Sequence, residues 1–204
     1  VRIVFHEKDL VTKRGEFFDS LGALRDVGQN HMLQMLALVA MENPLDPKVG
    51  GLHQARQNVL EKLKISEENK IIRGQYQGYL DEIGVNPESE TETFFRIVLY
   101  VENSKWVGVP FVLEFGKALN KSEVSIEICF KETKTCIDFP VSNEDTLRDA
   151  YDKVFYDCIL GDQTIFVSTG EVMAEWKIIT DIIQKWQNVP LTIYKKGSSA
   201  EDIK

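Results

Sequence analysis

An apolar helical repeat near the N-terminus constrains the fold of this chain more than any other feature. Apolar residues recur at spacings of three and four positions, at Leu21, Leu24, Val27, Met32, Met35, Leu36 and Val39. This spacing predicts a helix that reaches Met41 and carries a wide apolar face. Asn43-Pro44 predicts its end, because a residue that precedes proline avoids helical backbone angles. Such a helix needs a second layer to cover it.

Alternating and β-branched segments supply that second layer. Alternation predicts strands at residues 1–5 and 124–130, the second pairing as a hairpin with residues 134–139. Residues 71–76 and 94–101 also have strand composition. The order of strands and helices predicts an α+β domain with a largely antiparallel β-sheet.

Later segments are predicted to form helices, a loop and a frayed end. Helices are expected at residues 55–63, 146–160 and 172–186, with Asn143 or Asp145 as the cap of the second. The third should bury Trp176, Ile179, Ile182, Ile183 and Trp186. Residues 46–53 read as a loop, and the polar residues 195–204 as a frayed terminus.

Composition excludes several classes of protein. The 204 residues carry a net charge of −8, which argues against a nucleic-acid or anionic-membrane partner. No apolar run is long enough to span a membrane, and no signal-peptide pattern precedes the first strand. Cys129, Cys136 and Cys158 fit no metal motif, so we expect reduced structural thiols in a cytoplasmic protein without a metal.

The first helix also contains an unusual cluster of polar residues: Arg25, Asp26, Gln29, Asn30, His31 and Gln34. In an α-helix Asp26 and Asn30 would share a face that Gln34 extends, with His31 at its border. Histidine suits general-base chemistry near neutral pH, and a carboxylate can hold a sugar hydroxyl. Spacing alone leaves open the alternative that these groups form a hydrogen-bonded packing network.

An ordered set of motifs resembles the C-terminal domain of the glucose-6-phosphate dehydrogenase family. The polar cluster, preceded by Phe18-Asp19 and Gly22, is similar to the hallmark of that family. Further matches follow in register: Gly74-Gln75-Tyr76, Thr91-Glu92-Thr93-Phe94, Trp106-x-Gly108-Val109-Pro110-Phe111, Gly116-Lys117-Ala118-Leu119 and Ala174-Glu175-Trp176. The resemblance spans nearly the whole chain and implies helices packed on one face of the sheet.

The resemblance implies an activity and a set of site residues. The family oxidises glucose 6-phosphate at C1 to the lactone and passes hydride to NADP or NAD. His31 would accept the C1 hydroxyl proton, while Glu7 and Asp26 would hold sugar hydroxyls. Lys117 and Lys121 would contact the substrate as cations. His6 and His53 have no counterpart in the family and are expected at the surface.

Three departures from the family pattern shape these expectations. The Arg-Ile-Asp-His-Tyr-Leu-Gly-Lys motif, whose aspartate orients the catalytic histidine, is absent, and so is any glycine-rich dinucleotide fingerprint. The region after Phe130 is short, which predicts fewer strands. Glu114 stands where mammalian-type members carry an arginine that contacts a structural NADP, which argues against that second site.

We therefore expect residues 1–204 to be one C-terminal domain cut from a longer polypeptide, inactive without its dinucleotide-binding domain. The resemblance also implies a homodimer formed through the sheet. Two other interpretations remain open: a free-standing module that binds a sugar phosphate or assembles with an enzyme, and a purely structural α+β domain.

Overall fold

A mixed eight-stranded sheet organises the fold in a computed structural model that describes residues 1–44, 49–66, 71–140 and 145–204. The strands run in the spatial order β7-β6-β1-β5-β4-β3-β8, and β2 also pairs with β4. Their bounds are β1 (Arg2–His6), β2 (Leu63–Ile65), β3 (Ile71–Tyr76), β4 (Phe94–Val101), β5 (Phe111–Gly116), β6 (Glu123–Cys129), β7 (Cys136–Pro140) and β8 (Leu191–Tyr194).

The strand pairing confirms an α+β fold with a largely antiparallel sheet, although the sheet is mixed. β1 runs parallel to β5, and β3 runs parallel to β8. The other pairings among the described strands are antiparallel. Parallel neighbours need a long crossover connection, and in both cases helices lie between the paired strands in the chain. The strands β2, β5 and β8 were not predicted from the sequence.

The predicted first helix is confirmed, but its geometry changes along its length. It comprises α1 (Gly15–Ala23), a π-helical segment (Leu24–Met32) and α2 (Leu33–Ala40). Gly22 interrupts α1 with φ of 75°, a conformation that glycine adopts without strain. The remaining helices are α3 (Val49–Leu60), α4 (Asp145–Leu160) and α5 (Thr169–Trp186), and short 3₁₀ turns occupy Thr12–Arg14 and Ala200–Asp202.

A row of three phenylalanines joins the helical layer to the sheet. Phe5, Phe115 and Phe95 are aligned across β1, β5 and β4, with centroids 5.8 Å apart for the first pair and 5.9 Å for the second. A Cβ atom on Gly28 would lie 3.1 Å from the Phe95 ring, so the π-helical segment packs closely against this row. The row of phenylalanines therefore packs against the helical segment that carries the polar cluster.

The opposite face of the sheet carries charges and the C-terminal segment. Glu114 and Arg96 pair across β5 and β4 on this face. The Arg96 guanidinium donates to the carbonyl oxygens of Ala200 and Ile203, at 2.7 and 3.2 Å. Ile203 is buried in the core. The predicted fraying of residues 195–204 is therefore wrong, because short-range polarity did not reveal these long-range contacts.

Two other local predictions need correction, and a third, the cap of α4, is not tested. α3 begins at Val49, so the predicted loop is wrong from that residue onward, while residues 46–48 lie outside the described part of the chain. Asn143 also lies outside it, and α4 begins at Asp145, the alternative cap. Trp176 is 40 % exposed and does not belong to the buried face of α5.

The predicted state of the cysteines is also wrong for two of them. Cys129 and Cys136 face each other across β6 and β7 and form a disulfide, whereas Cys158 is a free, exposed thiol. Local spacing did not reveal the pair, because only the hairpin register places both sulfurs together. Within the residues described, no helix has both the length and the apolar character needed to cross a bilayer.

Candidate functional site

An ion pair between Glu7 and Lys117 lies where β1 and β5 end side by side. Both residues follow a phenylalanine of the aromatic row by two positions, so they lie beyond the same edge of the sheet. The Lys117 ammonium contacts the Glu7 carboxylate and lies 5.6 Å from the centroid of the Phe18 ring. A buried ammonium between a carboxylate and aromatic rings can exchange its partner for a polar ligand.

Backbone hydrogen bonds hold this pair in register. The Glu7 amide donates to the Gly116 carbonyl at 2.9 Å, and the Leu119 amide donates to the Glu7 carbonyl at 3.0 Å. The Lys117 amide donates to the Thr93 carbonyl at 2.9 Å. Backbone hydrogen bonds thus join the loop after β5 to the segments beside it, and they fix the backbone positions of Glu7 and Lys117.

His31 extends this site from the helical side. Its imidazole centroid lies 6.5 Å from the centroid of Phe5, and the residue is exposed to solvent. Its backbone amide donates to the side-chain oxygen of Asn30. No residue in the described ranges hydrogen-bonds to the imidazole, so both ring nitrogens are available to a ligand or to a residue outside this chain.

The π-helical geometry changes which residues share a face with His31. In such a helix hydrogen bonds join residues five apart, so Asp26 and His31 lie on the same side. In an α-helix Asp26 would still lie beside Asn30, but His31 would point about 140° away from it around the axis. The Asp26 carboxylate is 3.9 Å from the Arg14 guanidinium and remains partly exposed. The structure therefore brings Glu7, Lys117 and His31 to one end of the sheet, and Asp26 lies on the same helical segment as His31.

Lys121 lies in a different environment from the other predicted residues. Its ammonium is 2.5 Å from the Glu123 carboxylate, which lies 3.8 Å from the Nδ1 atom of His6. His6 is on the opposite face of the sheet from Phe5, because successive residues of β1 alternate. The predicted surface position of His6 is wrong: it is buried and hydrogen-bonds to Glu114 at 2.9 Å. A role for Lys121 in substrate binding stays a prediction.

A buried polar network beneath the π-helical segment was not predicted. The amides of Gln29 and Gln34 donate to the Glu175 carboxylate at 2.9 and 2.6 Å. Glu171, one turn earlier on α5, accepts from Arg56 of α3 at 2.5 Å and caps its own helix through Ser168. The signal in the sequence was a pair of glutamates spaced by four on the apolar side of a helix.

Burial sets the protonation behaviour of the two glutamates in this network. Burial raises the pKa of Glu175 to about 7; the hydrogen bond from Gln34 opposes this rise, and the charge of Glu171 adds to it. For Glu171 burial acts in the same direction, but hydrogen bonds from Arg56 and Ser168 outweigh it and lower the pKa. One carboxylate is therefore fully paired, and its neighbour can take up a proton near neutral pH.

Asp19, from the same motif, anchors the helix instead of facing the site. Its carboxylate accepts hydrogen bonds from Tyr79 at 2.8 Å, Ser89 at 2.5 Å and the Asn86 amide at 3.1 Å. Burial would raise the pKa of Asp19, but these hydrogen bonds outweigh it and lower the pKa. Asp19 thus joins α1 to the loop before β4.

Two groups among the described residues bear on the binding of a metal ion or of a structural dinucleotide. The donor group with suitable spacing, Glu127 with Cys129 and Cys136, has its two sulfurs bonded to each other. On the charged face of the sheet, the buried Glu114 carboxylate pairs with both Arg2 and Arg96. A phosphate there would be repelled by this carboxylate, and the absence of a structural NADP site stays a prediction.

Comparison with known proteins decides the family. The family sequence model described as glucose-6-phosphate dehydrogenase, C-terminal domain, matches residues 1–147 and 133–202, which together span nearly the whole chain. This chain belongs to the glucose-6-phosphate dehydrogenase family. The resemblance inferred from the motifs is thereby confirmed.

Relatives and solved structures agree with this assignment. The cytoplasmic isoform of glucose-6-phosphate 1-dehydrogenase from Solanum tuberosum is 32% identical over 244 residues, covering 97% of this chain and 48% of the relative. The Helicobacter pylori enzyme is 35% identical over 220 residues, covering 97% and 51%. This chain thus spans about half the length of these curated relatives.

Two solved structures share the fold of this chain. The Mycobacterium avium glucose-6-phosphate 1-dehydrogenase has a TM-score of 0.78 at 26% identity, covering 97% of this chain and 51% of that one. A glucose-6-phosphate dehydrogenase in complex with its substrate, glucose 6-phosphate, has a TM-score of 0.81 at 26% identity, covering 98% and 52%. The α+β fold is therefore that of the family.

Proposed function

We propose that this chain is the substrate-binding and catalytic domain of a glucose-6-phosphate dehydrogenase. The observation that carries this proposal is the convergence of Glu7, Lys117 and His31 at the ends of β1 and β5, with Asp26 on the same helical segment as His31. The similar protein solved with glucose 6-phosphate supports the choice of ligand. The assembled reaction oxidises the C1 hydroxyl of glucose 6-phosphate to 6-phosphogluconolactone.

Each residue has a role that follows from its chemistry. Glu7 and Asp26 accept hydrogen bonds from sugar hydroxyls, and Lys117 donates to the sugar phosphate as it releases Glu7. Lys121 supplies a second cation. His31 takes the proton of the C1 hydroxyl onto an imidazole nitrogen as the hydride leaves C1, and C1 becomes a carbonyl carbon. NADP would supply the hydride acceptor and would be held mainly by a dinucleotide-binding domain, which the described residues do not form.

The isolated chain should bind substrate without turning it over. The described residues include no partner that orients the His31 imidazole, and the chain has no glycine-rich phosphate-binding turn. The same observation favours a second candidate function: a non-catalytic module that binds a sugar phosphate or assembles with an enzyme. The two candidates differ in whether activity appears when a coenzyme domain is supplied.

Calorimetry with glucose 6-phosphate tests binding by the chain itself. We expect binding at millimolar ligand, strong loss in Lys117→Met, and little change in Lys185→Met, an exposed lysine of α5. Glucose without phosphate should bind more weakly. If calorimetry detects no binding of glucose 6-phosphate at these concentrations, the proposal is overturned and the interpretation as a purely structural domain is supported.

Activity in a polypeptide that also contains the family's dinucleotide-binding domain tests catalysis. His31→Asn should keep substrate affinity and lose turnover, because asparagine can hydrogen-bond but cannot accept the proton. Wild-type turnover in that variant contradicts the assignment of His31 as the base. Absence of activity in the joined wild-type protein, with binding intact, supports the non-catalytic module.

We also propose a cytoplasmic homodimer formed through the sheet. The name of the Solanum tuberosum relative states a cytoplasmic location for that protein. β7 is an edge strand, and its residues Ile137 and Phe139 are about half exposed, so this edge can accept a second sheet. Sedimentation at increasing concentration tests the dimer, and a monomer at all concentrations contradicts it.

A further inference from the structure

The π-helical segment that carries Asp26 and His31 needs a physical cause, because wide turns are rare in helices. At its end the Leu33 amide donates to two carbonyl oxygens, those of Gly28, five residues back, and Asn30, three residues back. Such turns occur mostly at functional sites and hydrogen-bond less favourably than the α-helix. A contact that holds only in the wide geometry would stabilise the segment.

Glu175 makes such a contact. Its two carboxylate oxygens accept from Gln29 at 2.9 Å and from Gln34 at 2.6 Å, and these glutamines are five residues apart. In a regular α-helix, residues five apart point about 140° away from each other around the axis. One carboxylate could not then receive both amides. The wide turn brings them to the same side.

The same five-residue spacing relates the two site residues. Asp26 and His31 are also five positions apart, and both lie within the π-helical segment. The widening that satisfies Glu175 on the buried side therefore places Asp26 and His31 on one side toward solvent. Reversion to α-helix would separate them around the axis.

Glu175 is itself held rigidly, so it can act as a fixed point. It is 1 % exposed and lies one turn beyond Glu171 on α5. Arg56 of α3 pairs with Glu171 and also donates to the Phe166 carbonyl at 3.0 Å. Within the described part of the chain, Glu171 and Arg56 are the charged groups that shape the electrostatics around Glu175.

We propose that Glu175 is a positioning residue that selects the π-helical turn and thereby sets His31 and Asp26 on one face of the site. This inference concerns the site of the proposed function and rests on that function for its catalytic meaning. The structural claim, that the Glu175 contacts determine the placement of His31, stands separately and is measured separately.

The test compares three variants of the whole 204-residue chain, buffered above the pKa of Glu175, about 7. Glu175→Gln removes the charge of the acceptor, and one of the two glutamines keeps its hydrogen bond only by turning its amide oxygen toward the new NH2 group. The double variant Gln29→Glu with Glu175→Gln restores a complementary pair at unchanged net charge. Asp181→Asn removes an acidic charge from the exposed side of the same helix and serves as the control.

Two readouts are measured on each variant: the ¹⁵N resonances of the His31 imidazole and backbone, assigned with His31→Asn, and glucose 6-phosphate affinity by calorimetry. Glu175→Gln should displace the His31 resonances and weaken affinity about tenfold, the loss expected for one hydrogen bond to a charged group. The double variant should recover both, and Asp181→Asn should change neither.

The outcomes separate this inference from the proposed function. Unchanged His31 resonances in Glu175→Gln overturn the positioning role, as does a folded double variant that shows no recovery. If Glu175→Gln unfolds, Gln29→Met takes its place, because it removes one of the two amides at similar volume. Unchanged His31 resonances in that variant also overturn the positioning role. A wild-type chain that does not bind glucose 6-phosphate refutes the proposed function, while the His31 resonances still report on Glu175.

Discussion

Glu114 offers the sharpest test of the electrostatic organisation of this fold. Its side chain is fully buried on β5, at 0 % exposure, within a cluster of three nitrogen donors. Arg2 lies 2.7 Å and His6 2.9 Å from one carboxylate oxygen, and Arg96 contacts the other. Glu114→Gln removes the negative charge at nearly the same volume and leaves two guanidinium groups without their partner.

The expected magnitude follows from the pKa of Glu114. Burial alone would raise it, but hydrogen bonds from His6 and Arg96 and the charges of Arg96 and Arg2 lower it from 4.5 to about 2. A pKa depressed by about 2.5 pH units corresponds to about 3 kcal/mol of unfolding free energy. Because the folded pKa is the lower one, this stabilisation is present above pH 4.5 and is lost as the pH falls through about 2.

Denaturant unfolding at two pH values measures this contribution. At about pH 7, Glu114→Gln should lose about 3 kcal/mol relative to wild type, and the difference should shrink strongly near pH 2. Glu102→Gln is the control, because the Glu102 side chain is 64% exposed and its ion pair with Lys64 contributes little. A difference for Glu114→Gln that is small at neutral pH, or that does not change with pH, refutes the reasoning.

Three further predictions test other parts of the structure. Gly22→Ala should destabilise the chain by about 1–3 kcal/mol in denaturant unfolding. Alanine is strained at the φ of 75° that Gly22 adopts, and its Cβ atom would lie 2.5 Å from a Glu92 carboxylate oxygen. Ile203→Ala should cost about 2–5 kcal/mol in thermal or denaturant unfolding, since a buried side chain leaves a cavity, whereas a frayed terminus would show no loss. Thiol titration of the unfolded chain should find one thiol, Cys158, without reductant and three after reduction, and three thiols at the start would contradict the disulfide.

Local patterns predicted the elements whose burial repeats along the chain. β1, β4 and the β6–β7 hairpin were predicted because alternation and β-branched composition report a pleated, half-buried surface. β8 was missed because four residues are too few to show a period, and its stability depends on pairing with β3. The buried terminus was missed for a similar reason, since Arg96 of β4 supplies its hydrogen bonds.

The candidate site also contains residues that the sequence predicted and contacts that only the structure shows. His31, Asp26 and Lys117 were predicted because they stand in motifs that resemble those of the family, and Glu7 was predicted from its position just after the first strand. Glu175 was seen only as part of a matching motif, and its partner Gln29 lies 146 positions away. No local pattern reports a hydrogen bond of that sequence separation, because the pairing depends on how α5 packs against the first helix.

The sequence by itself determined the family, the helical and strand periods and the chemistry available at the ends of β1 and β5. Only the tertiary structure decided that the first helix widens, that His31 comes to the same side of that helix as Asp26, and that Lys121 lies beside Glu123. The physical reason is the range of the forces involved. Periodicity in a sequence reports only that a segment is buried against some apolar layer. The geometry of the first helix is set instead by the buried Glu175 carboxylate of α5, which accepts hydrogen bonds from the amides of Gln29 and Gln34.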